Sequence, residues 1–445
     1  MGEKSEYSEN VPSDLEFLGG DFTVLNASSL AQADAGDGPG LRVLKEVLLA
    51  ILRCPGFVFS VQPQEEYTRV REKTGGKWRE VMRFPATLHR EFGEEVSRLF
   101  LKCNFHHYSL PQDGVVLLAL GDGKWYDLFV STVTGIHGPI FDFTFARREI
   151  SFDLDLDKLG FDASGLAALK KAVDAPAGMV LVTGPTHSGK SIVCYSAVMR
   201  RLLRGDSVTT IEAPRKFRLP GARQIQLGYG GNYENFYANA LADDPRVLLV
   251  QEIRYYEPIV GALASARERL VVAGIHAGEV ILCLIRLQRF AGDEKFPQSE
   301  QKRIRQDREL LAESLSLVCS GRVLNLLCPG CRQPGTVPAA TIRRSGLAVA
   351  GEGDVPVFSP GPGCEACRGT GIAGCRGIYE VLPISRDMRR LLAGPVPECA
   401  IIRQAREEGL LSLREMALRL ALDGAIGFQH AIAATSPPFP DDLNH

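Results

Sequence analysis

The sequence has no uninterrupted apolar run near the ~18 residues that would span a bilayer. Its apolar runs are short pieces such as Val115 to Leu120, so contact with a membrane is expected to be peripheral, through partners. It also lacks an excess of basic charge. Lys plus Arg number 51 against 53 Asp plus Glu, a net charge of -2, which leaves no global positive field to hold nucleic acid. The opening MGEKSEYSEN has no apolar segment of the kind a secretory signal needs, and Glu6 stands where a myristoylation motif wants Ser or Thr. A cytoplasmic location without specific nucleic-acid binding is the expectation. What is present is ordinary globular material: 45% apolar and 23% charged residues, with 45 Gly and 26 Pro, over 445 residues that suggest two or three domains.

Residues 1–40 lack apolar periodicity and end in AQADAGDGPG, which predicts a mobile tail. Leu41, Val43, Leu44, Val47, Leu48, Ile51 and Leu52 fall largely on one helical face that Pro55-Gly56 stops. Short alternating strands then follow as far as IFDFTFA at 140–146, giving a small α+β domain over 41–155. From Met179 to Thr183 onward, buried strand patterns (VTTIE, VLLVQE, RLVVAG) alternate with helices, the pattern of a parallel sheet. An α/β domain is therefore expected over 156–433, with a Gly-, Pro- and Cys-rich insert at 328–377 and a loose tail at 434–445.

Gly184-Pro185-Thr186-His187-Ser188-Gly189-Lys190-Ser191 fits G-x-x-x-x-G-K-[ST] between an apolar strand and a helical pattern. Glycines let successive N–H groups turn toward phosphate oxygens, and the helix N-terminus adds its positive dipole end. Lys190 then bridges the β- and γ-phosphates and Ser191 ligates Mg2+. Glu252 ends the strand RVLLVQE, Glu212 ends SVTTIE, and His276 follows RLVVAGI, so three strands deliver polar side chains to the edge where doubly wound sheets bind ligands. Each alone has a plainer explanation, a solvated carboxylate or a hydrogen-bonded core histidine; their convergence favours function.

Of 11 cysteines, four form two C-x-x-C pairs, Cys328/Cys331 and Cys364/Cys367. Two such knuckles suit tetrahedral zinc in a closed structural site. Unligated thiols or a redox pair carry the same spacing, and Cys375 lies near enough to complicate the ligand set.

The motifs GMVLVTGPTHSGKS, TIEAPRKFRLPGARQIQL, DPRVLLVQEIRYYE, VAGIH, LLCPGC, GCEACRGTG and GIYEVLPI occur in order, and FVFSVQPQEEYTRVREKTGG, SLPQDG and DLFVSTVTGIHG precede them. Over about residues 41–430 the chain resembles the secretion ATPases of type II secretion and type IV pilus assembly. That resemblance implies a RecA-like P-loop domain, a PAS-like domain before it, a hexameric ring with ATP between subunits, and an inner-membrane platform as partner. It also assigns Lys190 and Ser191 to Walker A, Glu212 to the acidic box, Glu252 to Walker B and His276 to the histidine box. Glu212 is then expected to help polarise the attacking water, Glu252 to order Mg2+ and its waters, and His276 to sense the γ-phosphate.

Departures from the family pattern matter as much. Ala213 and Lys216 replace two acidic-box carboxylates, and Gln251 and Tyr255 replace Gly and Asp around Walker B. Ser109, Val115, Ile140 and Thr144 stand where the family brings arginines to a neighbouring subunit's nucleotide, and Ala238 and Ala242 where two more precede Walker B. Arginine fingers are worth on the order of 10³ to 10⁵ in rate, so slow or partner-dependent hydrolysis is expected. The alternative is a nucleotide-binding structural or regulatory subunit without significant hydrolysis.

Overall fold

The computed structural model describes residues 24–26, 37–52, 54, 58–74, 77–101, 112–119, 125–147, 154–185, 188–212, 217, 219–226, 233–253, 256–290, 298–367 and 369–437. The chain divides into two compact units, Met1–Ser151 and Phe152–His445.

The first unit is a seven-stranded sheet. Its strands are β1 (Val24–Asn26), β2 (Val58–Pro63), β3 (Tyr67–Thr74), β4 (Lys77–Pro85), β5 (Gln112–Ala119), β6 (Trp125–Gly135) and β7 (Gly138–Arg147), in the order β1-β5-β6-β7-β2-β3-β4. All pairings are antiparallel except β1 with β5. The period-two pattern puts Phe59 and Val61, Leu128 and Val130, and Phe141 and Phe143 on one face, where Leu44, Val47, Leu48 and Ile51 of the helix Pro39–Leu52 and Phe92 and Val96 of the helix region His89–Val96 close the core. The periodic stripe from Leu41 to Leu52 thus forms the helix its spacing predicts. Val24–Asn26 lies within the stretch expected to be a tail, yet it pairs with Leu117–Ala119; two apolar residues in a strand-forming context suffice for an edge strand.

The second unit is built on a mixed seven-stranded sheet. It contains β8 (Gly178–Thr183), β9 (Val208–Glu212), β10 (Arg223–Gln226), β11 (Val247–Ile253), β12 (Leu270–Ile275) and β13 (Leu315–Leu327), with β14 (Gln333–Pro338) and β15 (Asp354–Ser359) forming a separate hairpin before β16 (Ile372–Pro383). The order is β10-β9-β11-β12-β8-β13-β16, parallel throughout except for β13 with β16. Every residue of β8, β9 and β12 is buried, as continuous apolar runs between two helical layers require. Each buried Val or Leu side chain contributes about 1.5–3 kcal/mol. One face packs on the helices Lys190–Leu202 and Ala163–Asp174, the other on Tyr256–Ser265 and Val280–Phe290. The insert is more ordered than its composition suggests: it holds the β14–β15 hairpin, the short helix Ala339–Arg344 and the first residues of β16. A core of Leu324, Ile342, Val357, Leu413, Leu418 and Phe428 joins it to the closing helices.

Candidate functional site

The carboxyl ends of β8, β12, β11 and β9 lie side by side. Thr183 at the end of β8 pairs with Ile275, Ile275 with Ile253, and Val250 with Ile211. Gly184, His276, Glu252 and Glu212 therefore stand along one edge of the sheet. For Glu252 the description is of the backbone only, next to last on β11.

The loop after β8 is shaped by its glycines. Gly184 has φ +140° and Gly189 φ +89°, conformations in which a side chain is strained by about 1–2 kcal/mol; at Gly184 a Cβ would also lie 2.6 Å from Ser188 Oγ. Gly189 is the residue before the helix Lys190–Leu202. Lys190 is buried, and its Nζ donates to the carbonyls of Gly184 and Pro185, each at 2.8 Å. An ammonium and the positive end of a helix share this turn, which favours an anion there. Ser188 Oγ is buried with no hydrogen-bond partner among the described residues, which also fits a loop shaped for a ligand. Pro185 is exposed, Ser191 is half-buried, and Thr186 and His187 lie outside the described residues.

Glu212 is sealed from solvent. Its Oε1 accepts from Thr210 Oγ1 at 2.5 Å and Gln224 Nε2 at 2.9 Å, and its Oε2 accepts from Tyr195 Oη. Gln224 also donates to the Phe217 carbonyl at 2.8 Å, and the Tyr195 and Phe217 rings meet edge-on at 4.9 Å. A carboxylate with protein donors on both oxygens ties β9 to the helix carrying Lys190; polarising water would require some of those bonds to open. The acidic-box departures Ala213 and Lys216 lie outside the described residues, as do Tyr255 and Ser109.

One strand position was not legible as buried. Gln251, beside Glu252, is 3% exposed, and among the described residues neither end of its carboxamide has a hydrogen-bond partner. Leaving such groups unmet costs about 1–3 kcal/mol each.

His276 is half-buried, and its carbonyl accepts from Arg286 Nη1. The segment it opens caps the neighbouring strands, since the Gly278 carbonyl accepts from Thr183 Oγ1 at 3.2 Å and Ser320 Oγ at 3.4 Å. Thr183, Ser320 and Glu380 share one row across β8, β13 and β16. Glu380 accepts from the Val280 and Leu413 N–H groups at 2.9 and 2.8 Å. Burial, with Glu279 nearby, pushes it up to about 8. Glu279 accepts from the Ser436 N–H at 2.9 Å, with Arg322 4.0 Å away. The only sequence signal for this cluster is a pair of charged residues inside apolar motifs, VAGIHAGE and GIYEV.

The sulfurs of Cys328, Cys331, Cys364 and Cys367 all lie within 4.8 Å of one another. Three of the separations are 3.7, 3.9 and 3.7 Å, and four sulfurs around tetrahedral zinc at 2.3 Å are about 3.8 Å apart. The Cys364 and Gly371 N–H groups donate to Cys367 Sγ at 3.1 and 3.2 Å, and they hold that thiol down to about 6. Gly361 approaches so closely that a Cβ would lie 1.6 Å from the Cys331 carbonyl oxygen. Cys375 is exposed on β16 and outside the cluster.

Comparison with known proteins agrees with this architecture. Residues 33–433 match the family described as Type II/IV secretion system protein. The chain is 30% identical over 416 residues to the type IV pilus assembly ATPase PilB of Myxococcus xanthus, covering 93% of this chain and 70% of that one. It is 28% identical over 402 residues to the type II secretion system protein E of Dickeya dadantii, covering 90% and 76%. Among solved structures, the Legionella pneumophila ATPase DotB superposes with a TM-score of 0.58 at 15% identity, over 92% of this chain and 98% of that one. The pilus retraction motor PilT with bound ADP gives 0.54 at 17% identity, over 90% and 98%. At those identities the structural likeness speaks for the fold alone. No helix among the described residues is long and apolar enough to cross a membrane.

Proposed function

The chain belongs to the family of type II/IV secretion system proteins, and we propose that it is a Mg2+-dependent P-loop ATPase driving a type II secretion or type IV pilus assembly machine. The observation that carries this is Gly184 and Gly189, held in glycine-favoured conformations on either side of the buried Ser188 and before Lys190, level with the ends of β12, β11 and β9. The N–H groups of the motif from Gly184 to Ser191, Thr186 and His187 among them by sequence, and Lys190 grip the β- and γ-phosphates, and Ser191 would hold Mg2+. Mg2+ supplies charge neutralisation at the phosphate oxygens. Glu252 orients the attacking water and would help hold Mg2+, and His276 responds to the γ-phosphate from the adjacent strand. Glu212, with its oxygens on Tyr195, Thr210 and Gln224, fixes β9 against the loop's own helix.

The strand order β9-β11-β12-β8-β13 supports a RecA-like domain over 156–433, and the first unit is read as the PAS-like domain over 41–155. A hexameric ring with nucleotide between subunits, an inner-membrane platform partner and peripheral residence there complete the proposal. The four cysteines hold a structural zinc, which the sulfur separations fit.

Turnover is slow or partner-dependent in this account, because Ile140 and Thr144 on β7 offer no guanidinium. The sealing of Glu212 favours a second reading, a nucleotide-binding subunit without significant hydrolysis. Mg-ATP turnover by the purified chain, compared with Lys190→Ala and Glu252→Gln, separates the two.

A further inference from the structure

We propose that Gln251 is a positioning residue of the hydrolytic site, holding the attacking water through its carboxamide. This rests on the ATPase assignment and names a residue for which the family pattern has glycine. Val250 is in register with Ile211 on β9 and Ala273 on β12, so Gln251 sits at the same edge as Glu212 and the phosphate loop. An irregularity in register between Val250 and Ile253 falls at this point, and bulges beside active sites re-aim side chains.

Burial with no partner on either polar atom among the described residues is the second observation. Ser188 Oγ, in the phosphate loop two strands away, is buried and unpartnered as well. Two orphaned polar groups at one sheet edge describe a site completed by a ligand with hydrogen-bonding capacity of its own. A carboxamide suits a water poised beside phosphate: Oε1 accepts one O–H of the water, while Nε2 donates to a γ-phosphate oxygen. The water oxygen bonds to Pγ as the bond from Pγ to the β–γ bridging oxygen breaks, its electron pair staying with ADP. The proton lost from the water goes to the released phosphate or to solvent; the amide neither gains nor loses one. A methionine fills a similar volume with no polar atom left unpaired, so it separates a positioning role from a packing one.

The test uses the full chain with Mg-ATP, and ADP with and without aluminium fluoride as a mimic of the transferring phosphoryl group. Gln251→Met is expected to lower kcat by about 10²-fold, leave KM and ADP affinity within about threefold, and remove most of the extra affinity that aluminium fluoride confers. Gln251→Gly serves if the methionine variant does not fold. A kcat within about twofold of wild type and unchanged aluminium fluoride affinity, with Lys190→Ala inactive, overturns this role and leaves the ATPase assignment standing. Absence of hydrolysis and of aluminium fluoride enhancement in the wild type overturns both.

Discussion

Glu380 Oε1 accepts a 2.8 Å hydrogen bond from the N–H of Leu413, which joins the last strand of the second sheet to the start of a closing helix. Its other oxygen accepts from the Val280 N–H at the start of the helix after His276, so one buried carboxyl group links the sheet edge beside the Gly184–Gly189 turn to the closing helices. Burial first, then the charge of Glu279, raises it from 4.5 to about 8. Between those values the unfolded carboxyl is ionised while the folded one stays protonated. The unfolded state then binds fewer protons, and stability falls as pH rises. The loss accumulates toward pH 8. Urea unfolding between pH 5 and 8 should show this slope in the wild type and a shallower one in Glu380→Gln. Parallel curves contradict the assignment.

Tyr195 donates to a carboxylate with no solvent contact. Tyr195→Phe removes that donor without changing the ring, and a hydrogen bond to a charged group is worth about 1.5–3 kcal/mol. A loss of that size in chemical denaturation is expected. A change under about 0.5 kcal/mol would place the variant among ordinary surface substitutions and contradict the buried network.

Zinc content tests the cysteine cluster. Protein purified without chelator should carry about one zinc per chain by elemental analysis, and Cys364→Ser should lose most of it and melt earlier. Cys375→Ser should keep its zinc, since Cys375 lies outside the four-sulfur cluster. Metal lost on changing Cys375, or none in the wild type, contradicts this.

What could be read from sequence is what spacing enforces. The glycine turn between β8 and its helix was legible because Gly184, Gly189 and Lys190 lie within a few residues of each other between two strongly patterned elements, and the clustering of the four cysteines because paired knuckles carry their own signature. The helix Pro39–Leu52 was legible from its period. Contacts between distant positions were not: Glu279 with Ser436, Glu380 with Leu413, and Glu212 with Tyr195 and Gln224 exist only after the sheet assembles. A carboxylate at a strand end reads as available for chemistry, and only folding shows that Glu212 is enclosed while the neighbouring strand buries Gln251 with no hydrogen-bond partner among the described residues. Exclusion of Cys375 from the sulfur cluster likewise follows from where β16 runs.

The most direct test of the central claim is Mg-ATP hydrolysis by the purified full chain, with nucleotide binding followed in parallel. Hydrolysis is expected in the wild type, slow without partners. Lys190→Ala should lose both binding and turnover, and Glu252→Gln should keep binding while losing turnover. Wild-type protein that binds no adenine nucleotide, or a Lys190→Ala variant that binds and hydrolyses as the wild type does, contradicts the account.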